Sequence, residues 1–298
     1  MPFIDKGLTD NGSGKGKTAH YAFTYDDSLD STVHPGQPEP ARTNALIAAS
    51  ENDFNLMENW FSNIGLPFTP PVSVQVANAG GGAGWGPPIT LKPGGGDANW
   101  MRYLMVAEVT EMLMLAQNKG WFAPDGSNEQ SSGEGLSHFL ASQFQIANGI
   151  GTSNDISNLW LNSTRQDFVN HIDEYDHSSG PKSGCALLFI YYLFTQLNFT
   201  IPQIVAAAGP ELSDVYRNLT GDGGDPFPFF KRMLDVAFPG TATITSGSNR
   251  DDPYPLGLTS IWVDKSTFGR DEVQDAIATS GGRFPNAFWV VLEGFNIF

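Results

Sequence analysis

Met105-Val-Ala-Glu-Val-Thr-Glu-Met-Leu-Met114 is an almost wholly apolar helical run that carries two acids, Glu108 and Glu111, through its middle. Three residues apart, the two carboxylates project from the same side of a helix, and like charges that close raise each other's pKa. A carboxylate in an apolar setting is costly unless it is protonated, hydrogen-bonded or matched by a cation. Downstream, Gly133-Glu-Gly-Leu-Ser-His-Phe-Leu-Ala141 adds a third carboxylate, Glu134, with His138 one helical turn later. The four side chains together ask for a shared proton, a histidinium or a metal ion.

Taken in order, a strand, a helix with Glu in its middle and a second helix opening on Glu-Gly-Leu-Ser resemble the gluzincin metallopeptidases. Their first helix reads H-E-x-x-H, in which two His bind zinc and the Glu between them is the general base; a Glu on the next helix is the third ligand. The resemblance implies Glu108 at the general base, Ala107 at the first ligand, Glu111 at the second and Glu134 at the third. One ligand is missing and another has changed chemistry. Where family members often carry an acid that orients the first zinc-binding His, this chain has His138.

Two readings stay open. In one, Glu111, Glu134 and His138 hold zinc or another divalent metal and Glu108 activates water. In the other, no metal is bound and His138 is the protonated partner of Glu111 or Glu134 in a polar core network. Zinc sites favour nitrogen and sulfur ligands, and a single imidazole among carboxylates falls short, so the second is preferred. The resemblance then implies an α+β, zincin-like fold in a catalytically degenerate protein with a binding or assembly role. A metal-dependent hydrolase with a Glu/Glu/His centre is the alternative.

With 298 residues the chain can bury a full core. Its net charge of −16 and pI near 4.5 argue against nucleic acid and anionic membrane surfaces, where lysine and arginine supply the attraction. No apolar run reaches membrane-spanning length, and Met1-Pro-Phe-Ile-Asp-Lys-Gly7 lacks the apolar core of an export signal, so a cytoplasmic location is expected. The lone Cys185, beside Ala186, Leu187 and Leu188, reads as a small buried side chain.

The remaining segments are placed by periodicity. Asn11-Gly-Ser-Gly-Lys-Gly-Lys-Thr18 misses the phosphate-loop spacing and precedes a strand from His20 to Tyr25, so a flexible basic loop is expected. Asp26-Asp27 reads as a turn or cap, and Pro40 to Phe61 as an amphipathic helix. Val72-Ser-Val-Gln-Val76 and Ile89-Thr-Leu91 alternate as strands, with Gly80-Gly-Gly-Ala-Gly-Trp-Gly86 between them as a hairpin loop. The resemblance places Ile89 to Leu91 at the sheet edge, open to an extended peptide partner. The crowded His171, Asp173, Glu174, Tyr175, Asp176 and His177 read as a solvated loop. Pro181 stands roughly where the family often carries an oxyanion-stabilising Tyr, for which Tyr175 could substitute. Asp225-Pro226 reads as a helix start.

The expected parts are a strand-rich stretch (1–98), a helical stretch with the degenerate metal-site helices (99–240) and a small appendage (241–298). In the appendage, strands over Leu258–Val263 and Asn286–Leu292 flank a short helix from Asp271. Substrate, partner and oligomeric state are not legible.

Overall fold

The computed structural model describes residues 2–122, 129–150, 156–171, 180–238, 240, 262–263 and 291–292. Their architecture is α+β. The chain divides into two compact units, Met1–Gln117 with Gln143–Ile150, and Asn118–Ser142 with Gly151–Phe298. Among the described residues no helix is long and apolar enough to cross a membrane.

The first unit is built on a five-stranded mixed sheet of β1 (Phe3–Ile4), β2 (Tyr21–Asp26), β3 (Val72–Val76), β4 (Gly82–Gly84) and β5 (Ile89–Lys92), in the order β1-β2-β3-β5-β4. β2, β3 and β5 run parallel, in the register Phe23↔Val74 and Val74↔Ile89, and the two outer strands are antiparallel to their neighbours. Parallel neighbours need a crossover, and α1 (Ala41–Trp60) supplies it between β2 and β3. Tyr21, Phe23, Tyr25, Val72, Val74, Val76, Ile89 and Leu91 alternate into the core, where Leu46, Ile47, Phe54 and Met57 of α1 are also buried. The sheet leads through Pro93–Gly96 into α2 (Ala98–Gln117), whose Arg102 grips Asp53 of α1 with two 2.8 Å hydrogen bonds.

Two expectations need correction here. The glycine run is more than a loop, because Gly82–Gly84 forms β4 and pairs antiparallel with β5. β5 is therefore not at the sheet edge: β3 flanks it on one side and β4 on the other. The reason lies in the backbone, which pairs whether or not side chains are present, so a strand of Gly-Ala-Gly leaves no period-two trace. The loop before β2 carries the bridges Asp10↔Lys15 and Lys17↔Ala22. Asp26 caps the short turn Asp27–Leu29 by accepting the Ser28 N–H.

The second unit is helical. α5 (Pro181–Tyr191) is buried from Ser183 to Tyr191, and its last turn widens into a π-helical turn over Tyr192–Gln196. Around it lie the start of α3 (Ser131–Asn148), α4 (Ser157–Leu161) and α8 (Phe227–Ala237). Gly184 lets α5 approach α4, since a Cβ there would meet the Ile156 carbonyl at 2.6 Å, and Phe189 meets Phe230 of α8 edge to face. α6 (Ile201–Ala206) and α7 (Leu212–Thr220) complete the set, each opened by a capping box. Asp225 accepts the Phe227 N–H at 3.0 Å, as its place before Pro226 led one to expect.

In the appendage only Trp262–Val263 (β6) and Val291–Leu292 (β7) are described; they pair in parallel and fall inside the two expected strands. The expected helix from Asp271 lies outside the described residues.

Candidate acid-rich site

α2 begins where the Asp97 carboxylate accepts the Trp100 N–H at 2.9 Å, and it ends at Asn118 in a left-handed conformation, φ 49°. Between these ends the helix is buried from Tyr103 to Met114 on all sides. Its two acids sit in that apolar run: Glu108 is 8% exposed and Glu111 4%. Ala107, at the place of the first zinc ligand, is 7% exposed and presents a methyl group. Thr110 turns its hydroxyl back onto the Ala107 carbonyl at 2.8 Å, so it too offers nothing outward.

In the second unit, the chain reaches α3 through a bridge between Phe122 and Glu129 and a hydrogen bond from the Gln130 N–H to the Trp121 carbonyl. This turn buries Glu129 against the first turn of α3. Gly133 makes the room, because a Cβ there would stand 2.6 Å from the Trp121 carbonyl and 2.8 Å from Oε1 of Glu129. Glu134 follows in the first turn, where the positive end of the helix dipole favours a carboxylate. Both acids are buried, and each offers an oxygen within 4.8 Å of the other. His138, one turn on, places Nε2 2.9 Å from Oε1 of Glu134.

Of the expected site residues, the structure thus brings together Glu134 and His138 in the second unit; Glu108 and Glu111 lie on α2 in the first. Glu129 is an acid that reading the sequence missed. It sits in the polar run Ser127-Asn-Glu-Gln-Ser-Ser132, which reads as exposed, and its only trace is the glycine four residues later.

The chemistry of the donor set decides what it can hold. An imidazolium at His138 balances one carboxylate, so with Glu129 and Glu134 both ionised the three side chains keep an excess negative charge. Zinc prefers at least two nitrogen or sulfur ligands, whereas these residues offer oxygen and one imidazole, and the first ligand position is a methyl. They do not fit the zinc that the resemblance implies; a proton or a harder, oxygen-seeking cation suits them better.

Other expected features are structural. Cys185 is buried and desolvation pushes its thiol far above the usual range, which leaves it unreactive at neutral pH. Pro181 is the first residue of α5, where its fixed φ suits the helix start. Asp173, Glu174, Tyr175, Asp176 and His177 lie outside the described residues. The chain matches no protein-family model and no curated protein.

Proposed function

We propose that this chain is a catalytically degenerate, zincin-like protein that binds rather than hydrolyses peptides. The observation that carries the reading is the buried methyl of Ala107 at the place where the gluzincin pattern requires the first zinc-binding His. The Glu134–His138 contact supports it: the imidazole that stands in the second helix is already engaged by a carboxylate as a core pair. Binding would use main-chain pairing at the sheet edge. Since β5 is flanked on both sides, such pairing would fall to an outer strand, β1 or β4, and β4 is the one that covers β5.

Metal content measured on protein purified without an affinity metal, together with peptide hydrolysis, tests this reading. The expected result is no stoichiometric transition metal and no turnover. Stoichiometric metal that disappears in a Glu134→Ala/His138→Ala variant, accompanied by hydrolysis, would overturn it.

A second reading is favoured by the closeness of Glu129 to Glu134. Two buried carboxylates and an imidazole of the second unit would hold a hard divalent cation in a hydrolase, and the resemblance implies Glu108 as its base. Under that reading Glu108→Gln leaves folding intact and removes turnover.

A further inference from the structure

The chain contains two Asn-Gly dipeptides, Asn11-Gly12 and Asn148-Gly149. Glycine after asparagine leaves its backbone nitrogen the least obstructed path to the side-chain carbonyl carbon, because no Cβ crowds the approach. The two sites differ in the features that such an attack needs.

Asn148 is tied down. Its Nδ2 donates to the Phe144 carbonyl at 2.9 Å at the end of α3, and the Gly149 N–H donates to the Ile146 carbonyl at 3.2 Å. Both the electrophile and the nucleophile are thus committed to helix carbonyls.

At Asn11 the carboxamide is not held in this way among the described residues, and the backbone N–H that follows it donates to a carboxylate instead of a helix carbonyl. Asn11 is exposed in the loop closed by the Asp10↔Lys15 bridge. Gly12 has φ 94°, and nothing lies within 4 Å of where its Cβ would be. The Gly12 N–H points at Oδ1 of Asp10, 2.9 Å away, so the proton that must leave this nitrogen already faces a carboxylate.

We propose that Asn11 is a site of spontaneous deamidation. The Gly12 nitrogen attacks Cγ of Asn11; the new N–Cγ bond forms, the Cγ–Nδ2 bond breaks, and the amide nitrogen leaves as ammonia with the proton the Gly12 nitrogen gives up. Water then opens the cyclic imide. Attack at Cγ gives aspartate; attack at the main-chain carbonyl gives isoaspartate, with the chain running through the side-chain carbons. No oxidant or cofactor is consumed. The isoaspartyl product lengthens the main chain between Asp10 and Gly12, across which Asp10 Oδ1 now holds the N–H groups of Gly12 and Gly14 at 2.9 and 3.1 Å. The turn opens and gains a negative charge.

The test is to age the full chain at mildly alkaline pH and to follow each Asn-Gly peptide by mass spectrometry, with isoaspartate read by enzymatic methylation. The amide-to-acid mass gain is expected at Asn11 at least about tenfold faster than at Asn148, and Gly12→Ala should slow it by a similar factor. An Asn11→Gln variant is expected to show no gain in that peptide. Equal rates at the two sites, faster conversion at Asn148, or a gain that persists in Asn11→Gln would overturn the proposal.

Discussion

A Cβ added to Gly135 of α3 would stand 2.6 Å from the Cβ of Ala186 on α5, and 2.8 Å from the Leu187 nitrogen. The Glu-Gly-Leu-Ser sequence therefore meets two separate demands, an acid at 134 and clearance at 135, and only the first is chemical. Alanine in place of Gly135 would add about 1 kcal/mol of helix propensity. The helices would have to part to admit it, at a cost of about 1–3 kcal/mol. Gly135→Ala is expected to lower the denaturant midpoint without changing the slope, and Gly135→Val to lower it further. An unchanged midpoint for the valine variant would mean that α3 and α5 separate freely.

Arg165 gathers the end of α8. Its buried guanidinium donates to Oδ1 of Asp235 at 2.8 Å, to the Phe238 carbonyl at 2.6 Å and to the Gly240 carbonyl at 3.1 Å, while Nε donates to the Leu161 carbonyl at 2.9 Å. Arg165→Met leaves these acceptors without their donor, with an expected loss of about 3 kcal/mol in urea denaturation. Arg165→Lys should recover less than half of it, because one ammonium cannot reproduce the planar fork. Full recovery with lysine would show that charge alone matters here.

Asp30 gives the fold an acid limit. The hydrogen bond from Lys6, at 2.8 Å, and then that from the Thr32 hydroxyl, at 2.7 Å, hold its carboxyl at about 2 against an ordinary 3.8. A depressed folded-state value stabilises above the unfolded one and is lost as pH falls through about 2. The stability gap between the native protein and Asp30→Asn is therefore expected to narrow as pH falls from about 4 to about 2. A gap that stays constant across this window would sink the assignment.

At the alkaline end, burial, followed by the nearby Asp30 and Glu39 charges, pushes the Tyr25 phenol up to about 12; it donates to the Lys6 carbonyl at 2.6 Å. Since the folded state holds this proton longer than the unfolded chain, the contribution is whole below about 10 and is lost as pH rises through about 12. A spectrophotometric titration of the native protein against Tyr25→Phe should assign only about a tenth of a phenolate to Tyr25 at pH about 11, where an ordinary phenol would be about nine-tenths ionised. Ionisation near the ordinary value would place the phenol in water.

Where side-chain periodicity marks a backbone state, the sequence was readable. The helix expected over Pro40 to Phe61 is α1, Ala41–Trp60, and Val72–Val76 is a strand as its alternation indicates. The long apolar run with its two acids is α2. Periodicity fails where side chains are absent or where burial comes from distant packing. β4 carries a single methyl group among its three residues, and Glu129 is buried although the run around it, Ser127 to Ser132, is polar. At the candidate site, Glu134 and His138 were legible because one turn of helix separates them. Glu129 was not, because no local spacing predicts that a chain will fold back over Gly133.

The make-up of β4 limits what its outer side can distinguish. Gly82, Ala83 and Gly84 pair with β5 along one side, and among the described residues no strand pairs with the main-chain groups on the other. An extended chain laid there gains hydrogen bonds that are the same for every sequence. Any discrimination between one such chain and another must come from side chains outside the strand.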